Sequence, residues 1–204
     1  MSHFRKSWGT EPAGEGRWRF SLWAPGIDEA AVSIRGRRHG LDKNAEGWFQ
    51  AELPASPDDP YEFLVKDLVV PDPAARAQVD KVMGPSRIVD PLAYEWRADW
   101  KGRPWEETVL YELHTGTFTD SGDFDGVIQK LDHLAGTGIT AVELCPIAHF
   151  PGKRGWGYDG VLPYAPHMVY GGPEALKRLV DAAHERGLMM FLDVVYNHFG
   201  PEGN

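Results

Sequence analysis

The sequence has 204 residues, enough for one large domain or two small ones. Its 42% hydrophobic and 25% charged residues are ordinary for a globular chain, and a net charge of −9 argues against a nucleic-acid partner. No apolar run is long enough to span a bilayer, and residues 1–10 lack the apolar core of a signal peptide, so neither a membrane partner nor export is expected.

The first ninety or so residues read as all-β. Arg17 to Trp23 alternates, placing Trp18, Phe20 and Leu22 on one face. Ala31 to Ile34, Trp48 to Leu53 and Tyr61 to Val65 are further short strands, with turn-rich pieces at Arg35 to Gly40 and Pro54 to Pro60. Strands at this spacing predict a small β-sandwich over residues 1–90, without a periodic helix. Val70-Pro71-Asp72-Pro73 cannot sustain a helix or an interior strand and reads as the start of a connection. Residues 91–107, rich in Pro, Trp and charge, read as an extended linker.

From Thr108 strands and helices alternate. Thr108 to Leu113 is a first apolar strand. Phe124 to Ala135 follows as a helix carrying Val127, Ile128, Leu131 and Leu134, and Ile139 to Leu144 as a second strand. Pro173 to Arg186 is the clearest helix, with an early Pro, a stripe of Leu176, Leu179, Val180 and Ala183, and Gly187 just past its end. Leu188 to Val195 is a third strand, expected to be buried on both faces. The order implies parallel strands with right-handed crossovers over residues 108–204. Period alone allows a barrel or a doubly wound sheet. The residues after the first strand, Glu112 to Thr117, lack the Gly-x-Gly-x-x-Gly of a dinucleotide site, which disfavours a redox enzyme.

Three polar clusters lie at or beyond the strands' C-terminal ends, where active-site residues gather in a parallel barrel. They are Glu112 with His114, the long loop Pro146 to Pro166, and Asp193 with Asn197 and His198. In the loop, Gly155-Trp156-Gly157-Tyr158-Asp159-Gly160 offers two flat aromatic faces and a carboxylate, suited to stacking on a sugar and accepting from its hydroxyls. The bland readings are that Trp156 plugs the loop, that Asp193 is a buried organiser of neighbouring loops, and that His198 is a satisfied polar residue. The histidines are scattered without zinc spacing, and no oxygen cluster for calcium is visible, so no metal and no cofactor are expected. The single cysteine, Cys145, excludes an intrachain disulfide and fits a cytoplasmic location.

Asp193-Val-Val-Tyr-Asn-His198 resembles the first signature region of the α-amylase family of glycoside hydrolases, glycoside hydrolase family 13. Phe20-Ser-Leu-Trp-Ala-Pro25 resembles the opening strand of the immunoglobulin-like module preceding the barrel in branching and debranching members. The ordered set extends through Val70–Arg76, Tyr111–Thr119, Gly155–Gly160, Tyr164–Pro166, Tyr170–Pro173 and Asp193–Gly203. It is most similar to members that cut the α-1,4 bond next to the trehalose end of maltooligosyl trehalose. The resemblance implies an immunoglobulin-like β-sandwich followed by the first three β/α units of a (β/α)8 TIM barrel. It implies a retaining hydrolase with two carboxyl groups, acting on maltooligosyl trehalose or a related α-glucan. Tyr158 would stack on the sugar at the cleavage subsite, His198 would hydrogen-bond it, and Asp193 would hold the site together, with Trp156 and Asp159 also touching substrate. The nucleophile and general acid are expected beyond residue 204. Residues 1–204 alone are therefore expected to be inactive and to be completed by the remainder of their own chain. The alternatives are a glycogen branching or debranching relative and a non-catalytic glucan-binding module.

Overall fold

A computed structural model describes residues 6–202. The chain forms two compact units, Met1–Pro91 and Leu92–Asn204. Among the described residues no helix is long and apolar enough to cross a membrane.

The first unit is two antiparallel sheets. Its strands are β1 (Gly9–Gly14), β2 (Arg17–Trp23), β3 (Ala30–Ile34), β4 (Arg37–Gly40), β5 (Asp42–Lys43), β6 (Trp48–Pro54), β7 (Pro60–Val65), β8 (Leu68–Val70) and β9 (Ser86–Arg87). One sheet runs β1-β2-β6-β5 and the other β4-β3-β7-β8, with β9 also on β7. The alternation read in β2 is realised: Trp18, Phe20 and Leu22 join Phe49 of β6, Val32 and Ile34 of β3, and Tyr61 and Phe63 of β7 in one core. Phe20 and Tyr61 meet edge to face at 5.4 Å, joining the two sheets through aromatic contact. Two expectations are corrected. Arg35 to Gly40 is not all turn, because only Arg35 and Gly36 turn while β4 pairs along β3. Nor is Val70 to Pro73 a free connection. Val70 closes β8, and Asp72 is buried in the first unit.

Asp72 is held by three hydrogen bonds. The Tyr61 hydroxyl donates to Oδ2 at 2.6 Å, the Ala74 amide donates to Oδ1 at 2.8 Å, and the Asp72 amide donates to Ser86 Oγ at 3.0 Å. Burial dominates its charge state. It outweighs the Tyr61 and Ala74 bonds and the Arg76 charge, and pushes the carboxyl up from 3.8 to about 6. Between those values the folded chain keeps a proton that the unfolded chain has lost. Stability therefore falls as pH rises through that window. Asp72→Asn is expected to remove this slope, worth on the order of 2 kcal/mol across it. Urea unfolding of both proteins from pH 4 to 7 checks this, and parallel curves would refute it.

The second unit begins with a chain segment lacking regular structure, closed by a 3₁₀ turn at Trp105–Glu107. It then alternates β10 (Leu110–Leu113), α1 (Thr115–Phe118), α2 (Phe124–Ile128), α3 (Leu131–Gly136), β11 (Ala141–Leu144), β12 (Ala148–His149), β13 (Leu162–Pro166), α4 (Gly172–Glu185) and β14 (Met189–Leu192). The strands β10, β11 and β14 pair in parallel in that order. The helix expected over Phe124 to Ala135 breaks at Gln129 and Lys130, yet Val127, Leu131 and Leu134 all stay in the core. Helix α4 buries Ala175, Leu179, Ala182 and Ala183, and Gly187 (φ +71°) ends it in the left-handed conformation glycine favours. The third strand corrects the reading of Leu188 to Val195. Among the described residues it stops at Leu192 and is an edge of the sheet, and Leu192 and Val194 are exposed. The first strand is likewise an edge, with only Leu113 buried.

Candidate active site

Pleating sorts the parallel strands into two faces. Leu113, Val142 and Leu144 turn to the helices. On the other face Glu112, Glu143 and Phe191 lie in register across the three strands. Two residues further along each strand come His114, Cys145 and Asp193, where the Cys145 and Asp193 amides extend the ladder to the Leu113 and Leu144 carbonyls, both at 2.9 Å. The thiol of Cys145 lies 3.8 Å from Glu112 Oε1. Burial, followed by the negative charges of Glu112 and Asp193, pushes that thiol up. The first and third polar clusters are therefore neighbours on one face of the sheet.

The long loop is ordered by its own two-stranded ribbon, β12 against β13. At its tip Trp156 is 83% exposed, so it does not plug the loop against the sheet. Tyr158 is exposed beside it. Gly157 between them has φ +97°, and an added Cβ would stand 2.7 Å from the Pro146 carbonyl oxygen. Both other clusters hold this loop by its backbone. His114 Nε2 donates to the Gly155 carbonyl at 2.8 Å. His198 Nε2 donates to the Tyr158 carbonyl at 3.0 Å, and its Nδ1 lies 3.1 Å from Asn197 Oδ1. The Gly200 amide donates to the Gly160 carbonyl at 3.0 Å, and a side chain at position 200 would collide with the Asp159 carbonyl. Tyr158, Asp159 and His198 thus come together at the strand ends, while Asp193 sits at the base of the segment that carries His198.

A cavity of about 790 Å³ opens beside this assembly, lined by His114, Thr117, Asp120, Lys153, Arg154 and Trp156 among others. Tyr158, Asp193 and His198 do not line it. Its size suits a small ligand, with the aromatic rings of Trp156 and Tyr170 among several polar groups. Sequence reasoning missed Thr117, Asp120, Lys153 and Arg154. The available signal was that both segments, Gly116 to Gly122 and Gly152 to Gly155, place polar residues between glycines. Among the described residues, no three His, Cys, Asp or Glu side chains are grouped to hold a metal ion.

Parallel strands carrying a polar row at their C-terminal ends, with an aromatic loop clasped above them, match a known class. The chain belongs to the α-amylase catalytic-domain family, whose family model matches residues 77–204. It is 45% identical over 194 residues to a malto-oligosyltrehalose trehalohydrolase of Deinococcus radiodurans, covering 95% of this chain and 32% of that one. A Ralstonia nicotianae 1,4-alpha-glucan branching enzyme is less similar, at 32% identity over 211 residues, covering 89% of this chain and 27% of that protein. A Salmonella typhimurium protein described as an alpha amylase superposes with a TM-score of 0.95 at 50% identity, covering 98% of this chain and 35% of the other. The chain spans about a third of the length of the relatives it matches.

Proposed function

We propose that these residues are the N-terminal part of a retaining α-glucan hydrolase that cuts the α-1,4 bond next to the trehalose end of maltooligosyl trehalose, releasing trehalose. The observation that carries this reading is the clasp of the Tyr158–Asp159 loop by His198 and Gly200 at the ends of parallel strands. The similarity to trehalohydrolases, higher than that to the branching enzyme, supports the choice of bond. In this reading the first unit is an immunoglobulin-like module, and β10, β11 and β14 are the first three strands of a (β/α)8 barrel. The face carrying Glu112, Glu143 and Asp193 then looks into the barrel mouth. Tyr158 stacks under the sugar at the cleavage subsite, Trp156 and Asp159 contact neighbouring sugar, and Asp193 orders the site. His198 fixes the Tyr158 backbone and turns its ring edge to the same sugar. The nucleophile and general acid belong to later strands, which the remainder of the chain supplies.

The full-length protein is expected to release trehalose from maltooligosyl trehalose with retention at the anomeric carbon, and residues 1–204 alone to release none. Product analysis by chromatography and NMR checks both. Transfer of glucan to form α-1,6 branches, without trehalose, would instead support the branching reading.

A further inference from the structure

His167 is buried and lies directly after β13, where its amide donates to the Ile147 carbonyl at 2.8 Å. Its ring is wedged between two others. His149 stacks on it at 4.4 Å with 17° between planes, and Phe150 leans on it at 4.0 Å. This packing fixes which way each ring nitrogen points. Nδ1 accepts from the Val169 amide at 3.0 Å, so it carries a lone pair. Nε2 faces the carbonyls of Phe150 at 3.0 Å and Gly152 at 3.1 Å, which only accept, so it carries the proton. One neutral tautomer satisfies every partner.

The two carbonyls belong to the segment that enters the aromatic loop, with Gly152 four residues before Trp156. We propose that His167 is a positioning residue: it ties the entrance of the Trp156–Tyr158 loop to the 3₁₀ turn at Met168–Tyr170, so that ring neutrality and loop order are coupled. This rests on the reading of that loop as the substrate loop only for its effect on activity. The tether itself stands on the geometry. A second proton on the ring would fall on Nδ1, against the Val169 N–H, and would break that bond. Burial already opposes it, holding the imidazole below its ordinary range, with the Phe150 and Gly152 carbonyls acting the other way. Among the described residues, the titratable side chains whose rings pack on it are His149, on its face, and the Tyr170 phenol, whose ring lies 5.8 Å away.

Two substitutions in the full-length protein separate the halves of the tether. His167→Asn keeps a short acceptor for the Val169 amide but cannot reach the Phe150 and Gly152 carbonyls. His167→Gln places an amide donor near the Nε2 position and does not titrate. Hydrogen exchange at residues 152–158 is expected to quicken about tenfold in His167→Asn and to stay within about threefold of the parent in His167→Gln. Trehalose release is expected to lose about tenfold in kcat/KM in His167→Asn, mainly through KM, and the parent is expected to show a step in the acid side of its kcat/KM profile from this ring that His167→Gln lacks. In the unsubstituted protein, exchange of the same residues is expected to quicken as the His167 ring gains its second proton, followed by NMR. That measurement holds even if a variant does not fold. Loop exchange indifferent to ring protonation, or unchanged in a folded His167→Asn, overturns the tether. Exchange behaving as expected in a protein that releases no trehalose overturns the substrate assignment and leaves the tether standing.

Discussion

Asp181→Ala is expected to destabilise the chain by about 3 kcal/mol, through partly buried donors left without their acceptor. Asp181 sits on α4 with its side chain fully buried. It accepts from the Ala98 amide at 2.9 Å, the Arg97 amide at 3.1 Å, the Tyr94 hydroxyl at 2.9 Å and Arg97 Nε at 3.2 Å. Nearby, Trp100 lies flat on His184 at 4.4 Å with 3° between planes. One carboxylate therefore straps residues 94–98 along the helix. Most of the loss comes from the two amides and the phenol, since the Arg97 side chain is largely exposed and its ion pair is worth little. Burial by itself would raise this carboxyl, but the Ala98 and Arg97 amides, the Tyr94 hydroxyl and the Arg97 side chain together bring it down to about 2. A depressed carboxyl stabilises fully above the unfolded value of 3.8, and that stabilisation fades as pH falls toward 2. Urea unfolding should show the full deficit at pH 7 and a smaller one at pH 3. An unchanged midpoint at pH 7 would remove the strap from the account.

Tyr158→Ala in the full-length protein is expected to lower kcat/KM for maltooligosyl trehalose on the order of 100-fold, with stability changed by less than about 0.5 kcal/mol. The separation follows from exposure. Tyr158 is 54% exposed and contributes little to the core, while its backbone carbonyl, which His198 holds, survives the substitution. Tyr158→Phe keeps the ring face and is expected to retain most of the activity. Turnover by the alanine variant equal to that of the parent would take Tyr158 out of the cleavage subsite.

The sequence made legible what apolar period dictates. Trp18, Phe20 and Leu22 announce β2, and Leu179 with Ala183 announces the buried side of α4. It hid elements whose composition works against strand formation. Gly9 to Gly14 contains two glycines and a proline, and Arg37 to Gly40 is charged as sheet edges tend to be, yet both pair with neighbours. The positions of Glu112, His114 and Asp193 could be read because apolar runs end there. What joins them could not. The Gly155 carbonyl lies 41 residues from His114, and the Tyr158 carbonyl 40 from His198. Asp181 did leave a trace, a charge set among Leu179, Val180, Ala182 and Ala183, but its partners lie 83 to 87 residues earlier. His167 left none, because its role depends on ring stacking and on carbonyls that any residue could supply.

The clasp on the aromatic loop has a consequence for how the protein is made. Chains emerge from the ribosome N-terminus first. The donor that fixes the Tyr158 carbonyl is synthesised 40 residues after it, and the Gly200 amide that bonds Gly160 comes later still. During that interval β12 and β13 can already pair and His114 can already reach the Gly155 carbonyl, whereas Tyr158 and Gly160 lack the bonds that His198 and Gly200 supply. The Tyr158–Gly160 end of the loop is therefore fastened after its supporting sheet is made, so a nascent chain passes through a state with a scaffold and an unfinished loop.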